Sequence, residues 1–205
     1  MEAYITVAIV AYVIGSINFA VIFSRKFAGF DVREKGSKNA GTTNVLRTVG
    51  KKLAALTLLC DILKGVAAIL VAGLTQIMWE GFDITTLKYI AGFMVILGHT
   101  FPIFFEFRGG KGVATAIGVL LMLNWKIGLI CLTFGILIIA FSKMVSLGSI
   151  AAAILFPVLT LFMQDEFNIV VVLFSFLIAL LVVFNHRSNI KRIKQGKENK
   201  LSFKK

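Results

Sequence analysis

Charge is scarce in this 205-residue chain: 16% of its residues are charged and 58% are hydrophobic. Soluble domains carry roughly 25% charged and about 45–50% apolar residues. A globule this short cannot hide so much apolar surface from water, which excludes an ordinary soluble domain and makes lipid the solvent. Cysteine is scarce too. Cys60 and Cys131 both lie inside apolar runs, with no CxxC and no Cys/His cluster, which excludes a disulfide framework and a zinc site; no metal is expected. Acidic residues number ten against 22 Lys and Arg, for a formal net charge of +12. That balance raises nucleic acid as a partner, but no basic face and no aromatic–basic interleaving on a soluble module accompany it. The cations flank apolar runs, so they read as topology signals and contacts to anionic membrane lipids, and no nucleic-acid partner is expected. The first apolar run has no charged region before it and no A-x-A-like site after it, so it reads as a retained span. No linker or internal repeat divides the chain, and residues 1–205 are expected to form a single membrane domain.

A spanning helix needs roughly 20 mostly apolar residues. Seven segments are candidates: 3–23, 53–79 (despite Asp61 and Lys64), 86–105, 113–123, 125–141, 146–163 and 167–184. The fourth is short enough for a half-helix or a re-entrant segment. Seven crossings place Arg25, Lys26, Arg33, Lys35, Lys38, Arg47, Lys51 and Lys52 on the same side as Arg108, Lys111 and Lys143. The tail cations Arg187, Lys191, Arg192, Lys194, Lys197, Lys200, Lys204 and Lys205 join them there. The other side receives Glu2, Glu80, Asp83, Asp165 and Glu166, with only Lys88 and Lys126 as cations. The positive-inside rule then predicts an all-α integral membrane protein of seven transmembrane helices, N-terminus outside and C-terminus cytoplasmic.

Polar chemistry concentrates on the basic side. Residues 36–50 read GSKNAGTTNVLRTVG, dense in glycines, hydroxyls and amides, and lead directly into an apolar helix. Glycines let backbone N–H groups approach an anion, and a following helix start favours phosphate. Arg47 offers a bidentate clamp. The competing reading is an ordinary surface turn with a solvated Arg, and composition alone does not choose. Residues 108–115 read RGGKGVAT, a second glycine nest with Lys111 as a point charge ahead of a helix. It is no P-loop, because Gly112 stands where Ser or Thr must follow the Lys; nucleotide binding is not supported. His99 reads as a packing residue near the inner end of the third span, with Pro102 kinking or ending that helix. Asp61 and Lys64 are three apart within the second span and read as an internal ion pair. His186 and Asn189 share a face at the inner end of the last span, either as ligand contacts or as an interfacial pair, and Ser146 is a contact or a simple cap. No carboxylate pair or nucleophile elbow occurs, and His-x4-Asp is missing because Phe104 stands fifth after His99. The residues by themselves indicate a membrane protein with an anion site, of phosphate type, on its cytoplasmic face.

The motifs together resemble one family over nearly the whole chain. They are Gly15-Ser16, the 36–50 block, Asp61-Ile62-Leu63-Lys64-Gly65, Gly98-His99 through Pro102, 107–115, Val145-Ser146-Leu147, and His186 through Arg192. The family is the bacterial acyl-phosphate:glycerol-3-phosphate acyltransferases (the PlsY type). The resemblance implies a seven-helix enzyme of the cytoplasmic membrane that uses neither cofactor nor metal. It would transfer a fatty acyl group from acyl phosphate to the 1-hydroxyl of glycerol 3-phosphate, giving lysophosphatidic acid and phosphate, the first step of phospholipid synthesis. It implies that Ser37, Arg47, Lys111, Ser146, His186 and Asn189 line the glycerol phosphate site, with His186, Asn189 and Ser37 closest to the chemistry. Asn39, Thr43 and Asn44 belong to the same block, and Gly109, Gly110 and Gly112 to the acyl-phosphate loop. The chain departs from the family pattern at Lys38, where Gly is common, at Arg108 for Lys, at Ser188 for Glu, and at Asn18 for Pro. Positioning and oxyanion stabilisation carry such a reaction, and the proton goes to His186 or to a substrate phosphate.

Overall fold

The computed structural model describes residues 1–79, 81–164 and 166–201, and they are helical and irregular throughout. Glu80, Asp165, Lys204 and Lys205, counted above in the charge asymmetry, lie outside the described residues. The chain divides into two compact units, Met1–Leu123 and Asn124–Lys205.

In the first unit the opening span is broken. Helix α1 (Glu2–Ser16) and helix α2 (Phe19–Ala28) are separated at Ile17 and Asn18. The Asn18 side chain accepts the Val21 N–H at 3.1 Å and so starts α2 afresh. The break leaves helix-end carbonyls open inside an apolar setting. Lys64 closes two of them, donating to the oxygens of Gly15 (3.0 Å) and Ile17 (2.8 Å). A left-handed Gly29 (φ 71°) ends α2. Then come α3 (Thr42–Thr48), α4 (Lys51–Met78), α5 (Ile84–Thr100) and α6 (Val113–Leu123). Asp83 caps α5 by accepting from the N–H groups of Thr85 and Thr86. At the other end Phe101 and Pro102 terminate it, as Pro102 led one to expect.

Small residues set the packing. Gly15 and Gly98 bring α1 and α5 into backbone contact: a Cβ at Gly15 would strike the backbone of Val95, and one at Gly98 the backbone of Tyr12 and Ser16. Gly65 and Gly118 do the same for α4 and α6, against Thr115 and Ile62. Lipid tails are as apolar as leucine, so helices in a bilayer associate by such close approach and not by hydrophobic expulsion.

The second unit holds α7 (Trp125–Ser142), α8 (Val145–Met163), α9 (Ile169–Asn185) and α10 (Arg187–Lys194). Asn124 and Asn168 cap α7 and α9 with their side-chain oxygens. Lys143, at φ 61°, makes the turn into α8, and α9 bends by 59° into α10. Among the described residues five stretches are long and apolar enough to cross a membrane, 2–28, 51–75, 84–105, 125–142 and 145–163, and a sixth if the bent α9–α10 pair counts. The expected seven is therefore not reached on length. The shortfall lies at α6, whose 11 residues span about 16 Å at 1.5 Å per residue, well under the roughly 30 Å hydrocarbon core.

Candidate active site

The block before α4 is a folded structure with its own core. Ala20, Val21, Val32, Ala40, Val45 and Ala54 are buried together beneath it, with Leu46, Val49, Leu53 and Phe105 packed around them. Asn44 shapes the loop above. It is 1% exposed, and its Nδ2 donates to the carbonyls of Val32 (2.8 Å), Lys35 (3.0 Å) and Asn39 (3.0 Å). Its Oδ1 accepts the Ser37 N–H at 2.9 Å. Of the residues expected at the substrate, Asn44 thus faces inward and holds the backbone that presents the others. Ser37 and Arg47 are exposed, and Asn39 and Thr43 half-buried, around the same loop. Gly36 (φ 60°) and Lys38 (φ 57°) both adopt the left-handed conformation, so Lys38 stands in a geometry natural to glycine.

A buried ion pair, counted above only as charge on one side, ties this loop to the next. Arg33 Nη2 lies 2.8 Å from Asp31 Oδ2, and Arg25 Nη2 reaches the same oxygen at 2.8 Å. The remaining fork of Arg33 donates to the Phe105 carbonyl at 2.8 Å. Burial raises the Asp31 pKa, but the hydrogen bonds from Arg33 and Arg25 outweigh it and hold the carboxyl at about 2.

The second glycine loop follows a short 3₁₀ turn, Ile103–Phe105. Glu106 and Phe107 take left-handed conformations at φ 59° and 57°, and the chain then doubles back onto the end of α5. Gly109 N–H donates to Thr100 O and Gly110 N–H to His99 O, both at 3.1 Å. These two amides therefore point into the protein, contrary to the expectation of an open nest, and helix-end carbonyls are their acceptors. Gly110 is tightly enclosed: a Cβ there would overlap the His99 ring at Nε2 and lie 3.0 Å from the Ala40 carbonyl. The two glycine-rich motifs therefore meet at Gly110. Lys111 is half-buried and Gly112, at φ 86°, leads into α6.

Below this junction the expected ion pair is present, with Lys64 Nζ 3.0 Å from Asp61 Oδ1. His99 Nδ1 lies 3.5 Å from the same oxygen. All three side chains are buried.

In the second unit Ser146, His186 and Asn189 are buried. A residue absent from the sequence reasoning joins two of them. Glu198 Oε1 accepts from Ser146 Oγ (2.9 Å) and Asn189 Nδ2 (2.7 Å), while Oε2 accepts from Arg192 Nε (2.9 Å). Glu198 is only 8% exposed. Burial opposes its charge, yet the bonds from Asn189, Ser146 and Arg192 prevail and hold its carboxyl below the ordinary range. The one signal in sequence was a lone acid in a basic tail. The tail is held beyond it as well, since Leu201 N–H donates to Lys143 O at 2.7 Å. His186 stands at the bend between α9 and α10, its Nδ1 2.7 Å from Val182 O. A carbonyl only accepts, so the neutral ring carries its proton on Nδ1 and Nε2 is the basic nitrogen.

Comparison with known proteins gives these motifs a family. A family model described as "Glycerol-3-phosphate acyltransferase" matches residues 5–196. The chain is 42% identical to the glycerol-3-phosphate acyltransferase of Clostridioides difficile (strain 630) over 203 residues, 99% of this chain and 98% of that one. It is 44% identical to the enzyme of the same name from Thermoanaerobacter sp. (strain X514) over 204 residues, 100% of this chain and 98% of the relative. Among solved structures it is similar to PlsY (YgiH), an integral membrane glycerol 3-phosphate acyltransferase. The glycerol 3-phosphate form matches with a TM-score of 0.85 at 35% identity, covering 97% of this chain and 96% of that one. The lysophosphatidic acid form matches at 0.83 and 32% identity, covering 97% and 95%. The motifs, the membrane-type helices and these full-length matches agree: the chain belongs to the glycerol-3-phosphate acyltransferase family and is an acyltransferase.

Proposed function

We propose that the chain transfers a fatty acyl group from acyl phosphate to the 1-hydroxyl of glycerol 3-phosphate, releasing lysophosphatidic acid and inorganic phosphate. The observation that carries this reading is the meeting of two glycine-rich loops at Gly110, where Ala40 and His99 enclose the backbone. Two phosphate-bearing substrates need two anion-holding loops side by side, each with its own cation, and the loops bring Arg47 and Lys111. The solved relatives are a glycerol 3-phosphate form and a lysophosphatidic acid form of PlsY, which fits this acceptor and this product.

In the reaction the 1-hydroxyl oxygen attacks the acyl carbonyl, and the tetrahedral intermediate collapses with loss of phosphate as the leaving group. Acyl phosphate is a mixed anhydride, so positioning is the main requirement and supplies up to about 7–11 kcal/mol in ideal systems. Arg47 and Lys111 hold phosphate, with Ser37, Asn39, Thr43 and the turn Gly109–Gly112 giving the loops their shape. In the second unit Ser146, His186 and Asn189 bind the glycerol phosphate. The hydroxyl proton passes either to His186 Nε2 or to a substrate phosphate, and we favour the phosphate because the motif that carries His186, residues 186–192, contains no acidic residue. No cofactor or metal enters this scheme.

We further propose that residues 1–205 act as one membrane domain with seven crossings, N-terminus outside and the loops facing the cytoplasm. The match across residues 5–196 supports a single domain, and the charge asymmetry supports the orientation. Purified protein supplied with acyl phosphate and glycerol 3-phosphate should release phosphate and lysophosphatidic acid one for one. Turnover only with a thioester donor would overturn the donor. A Lys38→Cys variant should be labelled from the cytoplasmic side, and labelling only from outside would overturn the orientation.

A further inference from the structure

The buried Asp61–Lys64–His99 string takes no direct part in the scheme above. In a lipid-facing protein, burying an ion pair is costly and an apolar trio would pack as well, so its retention calls for a reason. The geometry supplies one. At one end Lys64 donates to the carbonyls of Gly15 and Ile17 at the break in the first span. In the middle, Asp61 Oδ1 lies 3.0 Å from Lys64 Nζ and 3.5 Å from His99 Nδ1. At the other end the opposite edge of the imidazole fills the space beside Gly110, where a Cβ would overlap Nε2 and Cε1. The backbone repeats the link, since the carbonyls of His99 and Thr100 receive the N–H groups of Gly110 and Gly109.

We propose that His99, braced by Asp61 and Lys64, is a positioning residue that sets the height and angle of the 108–112 loop against the acyl-phosphate donor. The inference rests on the reading that this loop receives acyl phosphate. His99 touches no reacting atom in this account. Its ring is a spacer, held in orientation by the charge pair behind it and pressing on Gly110, where a side chain would collide with it. Displacing a binding loop by about 1 Å is enough to cost on the order of a hundredfold. The effect should fall on the donor more than on the acceptor, because of the expected acceptor ligands only Lys111 lies in this loop, while Ser37, Arg47, Ser146, His186 and Asn189 lie elsewhere in the chain.

The test is steady-state kinetics of His99→Leu and His99→Asn with both substrates varied. The leucine variant should raise KM for acyl phosphate about ten- to hundredfold while KM for glycerol 3-phosphate moves less than about threefold. His99→Asn, which keeps a nitrogen toward Asp61, should recover part of the loss. A donor KM in His99→Leu equal to wild type, or both KM values rising together, overturns the proposal. Should His99→Leu fail to extract as folded protein, Gly110→Ala pushes the loop off the ring with the helices untouched and should reproduce the donor effect. In the His99→Ala/Gly110→Ala pair the freed space should make the double loss smaller than the product of the single losses, and strict multiplication counts against the contact. Tryptic cleavage after Arg108 or Lys111 should also be faster in His99→Leu, and unchanged cleavage counts against it. That last readout needs no substrate. If wild type ignores acyl phosphate and uses a thioester, the donor reading fails while proteolysis still decides the positioning role.

Discussion

The two units build their polar ends in opposite ways. In the first, the buried polar residues serve the backbone: Asn44 knots its own loop and Arg33 pins that loop to Phe105, and the cation Arg47 remains at the surface. In the second, the motif residues Ser146 and Asn189 are themselves buried, converging on one carboxylate from the tail. In the first, Asn44 closes its loop over 12 residues, from Val32 to Asn44, and Arg33 adds one long tie to a backbone carbonyl 72 residues on. The second spans 52 residues, from Ser146 to Glu198. A cation carried at the surface of the first unit can be lost without unfolding, whereas loss of the carboxylate that ties the buried Ser146 and Asn189 to the tail removes shape and function together.

The sharpest way to test that difference is to remove the two loop-motif cations. Arg47→Ala and Lys111→Ala should each lower kcat/KM by roughly ten- to a hundredfold or more, at about 1.5–3 kcal/mol per charge-assisted contact. Both proteins should remain folded and extractable. Near-normal kcat/KM would remove these residues from the phosphates. Arg47→Lys should also be impaired, because an ammonium lacks the bidentate fork.

Glu198→Ala should do the reverse, damaging the fold first. It strips the acceptor from the buried Ser146 and Asn189 and from the part-exposed Arg192, and loss of a buried donor's partner costs about 1–3 kcal/mol. Apparent Tm in detergent should fall, with activity lost in step. The pH dependence carries a sign. The folded carboxyl titrates below its ordinary 4.5, so its stabilisation is complete above that value and disappears as pH falls through the lowered one. Glu198→Gln should lack that component of the acid loss, visible as a flatter Tm between pH 5 and lower values. An unchanged Tm in Glu198→Ala would mean the tail is not structural.

His186→Gln sharpens the comparison within the second unit. With a substrate phosphate taking the proton, kcat at saturation should be retained with its acid limb intact, while KM for glycerol 3-phosphate rises. A fall in kcat of about 10²–10⁴-fold with loss of the limb would make His186 the base. The smallest effect is expected at Lys38→Gly. Relief of a left-handed non-glycine conformation, about 1–2 kcal/mol, is offset by the greater freedom of glycine in the unfolded chain, about 0.5–1 kcal/mol. A rise in apparent Tm of a few degrees should result, and a fall would mean that the Lys38 side chain itself stabilises the loop.

Much of this was legible before any coordinates. Glycine spacing marked both loops, and the i,i+3 spacing of Asp61 and Lys64 marked their pairing. Pro102 marked the end of α5. Asn44 was legible as part of the motif but not in its function, because an amide in a polar block reads the same whether it meets a ligand or its own backbone. The inward turn of the Gly109 and Gly110 amides was likewise hidden, since it depends on the end of α5 lying beneath them. Glu198 sits in a stretch that looks like a solvated basic tail, and its role exists only because the chain returns to Ser146.

The sequence by itself determined the solvent and the helical class, because these follow from apolar content and from local steric rules that act within a few residues. It also marked the two glycine-rich polar blocks, since glycine, hydroxyl and cation lie side by side in the chain at 36–50 and 108–115. The tertiary structure alone decided that the first span breaks at Asn18 with Lys64 closing its carbonyls, that the two glycine loops touch at Gly110, and that Glu198 gathers Ser146, Asn189 and Arg192. Each of these turns on a contact between residues far apart in the chain, Lys64 with Gly15, Gly110 with Ala40 and Glu198 with Ser146, and such a contact is set by which elements pack against one another.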